Sequence, residues 1–284
     1  MMRFQPRFNA VNDSLLAIAV ITTSLTAAPT HAAQPSFDCA TVQTPREVAV
    51  CSDAGLAAAD RDMTAAWQAA IAHLDGATAK ALRKDQENFI TDLDYGFVGT
   101  VWLKEEPPKG RALREAIARI KRSTDPGQPD ALTQLGAQIR QRTAFLRALA
   151  PADPAAPYAG LWKNNDTELL AEPAGDGAYD VTYGMSAYGW SKYYCHFTAH
   201  FMAAGIDLLA KSAHPTDGDS NGDVATNLRL ARNGATLVLD DDPNASNGDK
   251  PITPCPHHPN LNAPLFHTGL RAEQGHHLDP DTDD

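Results

Sequence analysis

Basic side chains are nearly missing from the second half of this sequence. Residues 151–284 hold 7 Lys and Arg against 19 Asp and Glu, while residues 34–150 hold 15 of each, so the net charge of −11 is carried by the second half. That balance excludes a nucleic-acid partner, because holding a phosphate backbone takes a basic surface. A basic protein or a cation is the natural complement. Long apolar runs are lacking too. Leu15 to Ala28 is interrupted by Thr22, Thr23, Ser24 and Thr26 and stops at Pro29, short of the ~20 residues that span a bilayer. No later segment is longer or more apolar, so the mature chain is expected to have no membrane span. Also absent are a nucleophile set beside its base, a glycine loop for phosphate and a metalloprotease helix. The expectation is a protein that is not an enzyme and acts by binding.

What is present begins with export. Arg3 and Arg7 precede the apolar run, and Thr30-His31-Ala32-Ala33 follows at the distance of a cleavage site, so residues 1–33 read as a signal peptide. No cysteine directly follows the run that could take a lipid anchor. The expected location is periplasmic or secreted, an oxidising compartment where cysteines pair. The four cysteines allow three pairings. Joining near neighbours gives Cys39–Cys51 in the first half and Cys195–Cys255 in the second, which is the expected pattern. The first bridge would clip the N-terminal arm to a helix start and contribute roughly 3 kcal/mol through loop closure.

From Asp53, placed as a cap, Leu56, Met63, Trp67, Ile71 and Leu74 recur at three-, four- and seven-residue steps, which predicts an amphipathic helix. Similar spacing predicts helices over about 77–97, 111–122 and 130–149, with Pro107-Pro108 between the first two of these. Short connections predict an antiparallel bundle over residues 34–149. Residues 150–158, with Pro151, Pro154 and Pro157, read as a Pro/Ala linker. Beyond it the pattern alternates: Tyr179, Val181 and Tyr183; Cys195, Phe197, Ala199 and Phe201; Leu228 and Leu230; Leu237 and Leu239. Asn233-Gly234 marks a hairpin. Residues 159–272 are therefore expected to form an acidic, mainly antiparallel β domain, a small barrel or sandwich, and 273–284 a disordered acidic tail. Gly160-Leu161-Trp162 resembles the Gly-x-Trp start of lipocalin-like barrels. The predicted fold class is thus two domains, an all-α bundle with a disulfide followed by a β domain.

Asp217-Gly218-Asp219-Ser220-Asn221-Gly222-Asp223 matches the opening of an EF-hand-type calcium loop, hard oxygens on alternate positions and then a turn glycine. Asp217, Asp219, Asn221 and Asp223 are its candidate calcium ligands, although Leu228 stands where a bidentate Glu is needed. The same residue types also build ordinary exposed turns. His196 and His200 share a strand face, but zinc takes three or four preorganised ligands.

Ser36-Phe37-Asp38-Cys39, then Thr44, Glu47, Val50-Cys51, Leu56, Asp60, Met63 and Trp67, resembles the opening of the lysozyme inhibitor LprI-like N-terminal domain family, and Leu82, Gln86, Phe89 and Asp94 fit its second helix. The resemblance covers about residues 35–150. A second cysteine pair usual in that family is missing: Tyr95 and Gly96 follow Asp94, and Gly96–Gly110 is a longer insertion with Trp102 and Glu105-Glu106. The resemblance implies a small helical exported module whose namesake inhibits lysozyme by binding it, and it carries over no inhibitory residue. The function expected is a non-enzymatic binding protein directed at lysozyme or another basic cell-wall hydrolase, the alternative being an envelope scaffolding module, with or without calcium.

Overall fold

The computed structural model describes residues 34–42, 44–102, 107–121, 130–186, 193–215, 223–241, 261 and 263–269. The expected signal peptide, residues 1–33, and the tail, 273–284, lie outside them. Helix α1 (Pro45–Ser52) starts at a reciprocal cap: Thr44 accepts from the Glu47 amide and Glu47 accepts from the Thr44 amide, both at 3.2 Å. Asp53 then breaks the helix for one residue with extended backbone and caps α2 (Ala54–Ala72) through the amides of Gly55 and Leu56. Sequence periodicity places the start of α2 but not the short α1 before it. Asp75 caps α3 (Gly76–Val101) and Asp130 caps α5 (Ala131–Ala148), with α4 (Gly110–Ile120) between them.

Eight strands follow: β1 (Gly160–Lys163), β2 (Thr167–Gly175), β3 (Ala178–Ser186), β4 (Tyr193–Ala204), β5 (Asp207–Pro215), β6 (Val224–Asn233), β7 (Thr236–Asp241) and β8 (Leu265–Thr268). Each pairs antiparallel with the next, and β8 returns to β1 through Leu161↔Thr268, Trp162↔His267 and Lys163↔Phe266. The sheet is therefore a closed barrel, which settles the choice between barrel and sandwich. Eight strands enclose a space just wide enough for side chains. Trp162, Tyr183, Phe197 and Phe201 are fully buried, with Leu169, Leu228 and Leu230. The Tyr183 and Phe197 rings stack at 4.8 Å. Tyr183, Phe197, Phe201, Leu228 and Leu230 are inward positions that the alternation predicts, while Trp162 and Leu169 lie outside the runs it covers.

One mouth of the barrel is stoppered by the chain that enters it. Trp162 Nε1 donates to the Tyr158 carbonyl at 2.8 Å, the Arg232 guanidinium lies over the Trp162 ring, and the same guanidinium donates to the Pro157 carbonyl. Gly160 is required here. Its φ is +108°, and a Cβ would stand 2.6 Å from His267 Nε2.

The expected division into two domains does not hold. Helices and barrel fall in one compact unit, Ala32–Asp284, and three contacts show why the helices do not make a bundle of their own. Phe145 of α5 meets Phe266 of β8 edge to face at 6.3 Å, and Phe266 belongs to the helical core. The residues read as a linker are bound to the sheet, since Ala150 N donates to His267 O at 3.2 Å and Gly269 N to Ala148 O at 2.7 Å. The β1–β2 turn is tied to α3 through Asn165 N and Asp85 Oδ1 at 2.8 Å. An apolar face on α5 that the other helices leave open is closed by β8, and the prolines of 151–157 shape a docked segment.

Arg142 is the centre of that junction. It is buried between the Phe89 and Phe145 rings (5.2 and 4.6 Å to the centroids), 2.8 Å from Asp85, and donates to Gln86 Oε1 at 2.8 Å. Removing one partner of a buried pair strands the other. Arg142→Leu should cost about 3–5 kcal/mol in denaturant unfolding, and adding Asp85→Asn should recover part of that loss. A loss below about 1 kcal/mol would contradict this placement.

Candidate functional site

Two polar surfaces are built by this fold, one closed and one open. The closed one grows from the β1–β2 turn. Asn164 Oδ1 accepts from the amides of Asp166 and Thr167 at 2.9 and 2.8 Å, which tightens the turn and turns Asn165 toward α3. Asn165 Nδ2 donates to Asp92 and Asp166, while its amide holds Asp85. Three carboxylates thus converge beside the single guanidinium of Arg142. Burial, then the nearby Asp92 and Asp85, push Asp166 up to about 7, with Arg142 opposing. Burial and Asp85 raise Asp92 as well, against its bond from Asn165. On the neighbouring strands Lys163 contacts Glu168, and burial pulls the lysine down to about 8. Every group in this cluster serves another member of the fold, so the cluster is a junction between layers.

The open surface is the outer face of β2–β5. Register sets Glu172 opposite Asp180 and Asp180 opposite His200, and all three are exposed. His200 Nδ1 lies 2.7 Å from Asp180 Oδ1. Asp176 stands at the β2–β3 turn with φ 52° between two positive-φ glycines. Of the cations nearby, Arg229 lies between Asp207 and Asp240, Lys163 on Glu168, and Arg232 donates to Gly234 and Pro157 carbonyls, while Lys211 is exposed on β5 and donates to Asn227 Oδ1 at 3.4 Å. Helices meet the barrel along β8 and the β1–β2 turn, whereas β4 and β5 lie half-way round the closed sheet from them. This face, with the acids gathered on β2 and β3 and with His200 and Lys211 on β4 and β5, is left uncovered by the described helices.

The residues singled out from sequence fall as follows. Cys39 and Cys51 form a disulfide. Cys195 is buried in β4 and also disulfide-bonded, while Cys255 lies outside the described residues. Of the calcium candidates, Asp217, Asp219 and Asn221 lie outside them too. Asp223 is exposed, with its carboxylate 3.3 Å from His214 Nδ1. His196 is buried and His200 exposed, at different depths on β4. Among the described residues no group of three His, Cys, Asp or Glu is set to hold a metal ion. The polar positions of the LprI-like pattern are spent internally. Ser36 donates twice to Asp60 (2.7 and 2.6 Å), Thr44 and Glu47 cap α1, Gln86 accepts from Arg142, and Asp94 pairs with Arg46 at 2.8 Å. Asp85, Arg142 and Asn165 carry no local signal, because the contacts that join them span 57 and 80 residues.

Set against known protein families, characterised proteins and solved structures, the chain matches none.

An acid raised on folding binds its proton more tightly in the folded chain than in the unfolded one. Asp166 therefore costs stability progressively as pH climbs from 3.8 to about 7, and fully above that. Asp166→Asn should stabilise the protein at pH 8 by about 1 kcal/mol once screening at the partly open carboxyl is allowed for, roughly 2–4 °C in Tm. The gain should vanish near pH 4. A gain of equal size at both values in thermal melts would contradict the assignment.

Proposed function

We propose that this is an exported, non-enzymatic binding protein that engages a basic cell-wall hydrolase, with inhibition of lysozyme as its activity. The observation that carries the reading is the acidic outer face of β2–β4, where Glu172, Asp176 and Asp180 stand exposed and the neighbouring arginines are engaged elsewhere. Opposite charge steers encounter and raises association rates. Three further points support it. The barrel interior is filled with side chains, so the surface is where a partner is met. The LprI-like pattern in the helices serves their own packing, which leaves recognition to another face. The Cys39–Cys51 disulfide fits an oxidising, periplasmic or extracellular location, as does the signal-peptide pattern of residues 1–33.

The direct test is lysis of a cell-wall suspension by lysozyme with the mature chain added. Inhibition should appear near equimolar ratio, with an association rate that falls several-fold when salt is raised from about 20 to 150 mM. Lysis unchanged at a large excess of the chain would reject the inhibitor reading.

A further inference from the structure

The β4–β5 hairpin ends in a two-residue loop, Gly205-Ile206, closed by the Ala204↔Asp207 pair. Gly205 has φ +68°, the conformation that a tight hairpin of this length needs at its first central position. The second central position ordinarily takes a polar or small residue. Here it is Ile206, 89% exposed, and four residues earlier on the same hairpin Met202 is 53% exposed. Scattered exposed apolar residues are normal, but these two stand on an element whose backbone is fixed. The Tyr158 hydroxyl donates to the Ile206 carbonyl, and the Tyr158 ring packs edge to face on Tyr179 at 5.7 Å. The Ile206 side chain gains nothing from the fold that a polar residue would forgo.

Around this tip the sheet bears three exposed acids, Glu172, Asp176 and Asp180, of which Asp180 is met by His200. A Cβ on Gly177 would lie 3.6 Å from the Ala203 Cβ, so the β2–β3 turn carrying Asp176 flanks the hairpin. Glu172 and Asp180 are direct cross-strand partners, and like charges so placed destabilise a sheet. His200 lies on Asp180, and Glu172 is left for a cation brought by another molecule. An apolar knob on a rigid turn with a charged rim has the composition of an interface centre and its border.

We propose that the β4–β5 hairpin tip, with Met202 and Ile206 as its apolar anchor and Glu172, Asp176 and Asp180 as its rim, is the surface by which this chain docks onto a basic protein. It rests on the reading of the chain as a binder of basic proteins. The partner presents an apolar recess bordered by lysine or arginine. Ile206 fills the recess and governs dissociation, while the rim carboxylates govern encounter.

The test uses the full mature chain on a biosensor surface, with lysozyme and, as an unrelated basic protein, cytochrome c as probes. Ile206→Asp with Met202→Asp should weaken binding at least tenfold, mostly through faster dissociation. Glu172→Lys with Asp180→Lys should slow association several-fold at low salt. Both should keep the wild-type Tm, and Glu87→Lys, an exposed charge reversal on α3, should bind as wild type. Wild-type binding untouched by the hairpin and rim variants would overturn this surface and leave the inhibitor reading standing. Binding lost in those variants, with lysis by lysozyme unimpeded by the wild type, would support the surface and overturn the inhibitor reading. Failure of the wild type to hold either basic protein would overturn the docking surface.

Discussion

A guanidinium held between two phenylalanine rings, with one carboxylate to balance it, fixes how the helices stand on the barrel. Arg142 reaches from α5, lies 2.8 Å from Asp85 and donates to Gln86 of α3, and Asp85 passes the connection to the amide of Asn165 in the β1–β2 turn. Burial disfavours the charge on Arg142, and Asp85 holds it. Such a pair adds little net stability over an apolar replacement, but breaking it is costly. Its value is positional. Phe145 on Phe266 and the docking of Ala148–Ala150 against β8 then follow from the same placement.

That placement divides the surface. Where the helices meet β8 and the β1–β2 turn, polar groups turn inward and bond one another; burial raises Asp166 and Asp92 there, and Asp85 pairs with Arg142. On β2, β3 and the turn between them, which no described helix covers, Glu172, Asp176 and Asp180 face water. The acidity that composition assigns to the second half is thus two populations. One belongs to the architecture, and the other stands exposed on the barrel surface, with His200 beside Asp180.

Much of the barrel was legible because its strands obey a strict period. Val181, Phe197, Leu230 and Leu239 point inward as their alternation requires, and Asn233-Gly234 turns between β6 and β7. β8 escaped that reading for a physical reason. Its four residues are wanted on both sides, Leu265 by the barrel core and Phe266 by the helical core, so no polar face alternates. The union of helices and barrel escaped as well. Proline spacing in 151–157 suggested a spacer, while the bonds that dock the chain there join residues more than a hundred apart. At the candidate surface the acid excess could be counted, and the alternation of β4 already sets Met202 on the outward face next to Phe201. Ile206 looks like a core residue in sequence, and its position in the two-residue hairpin loop exposes it.

The central claim is that the acidic, helix-free face of the barrel is the working surface. Hydrogen exchange of the mature chain with and without lysozyme tests it most directly, because each segment reports separately. Slowed exchange is expected only in the β2–β3 and β4–β5 turns, around residues 174–178 and 203–207. Protection that falls on α1 to α3 instead, with those turns unchanged, would contradict it.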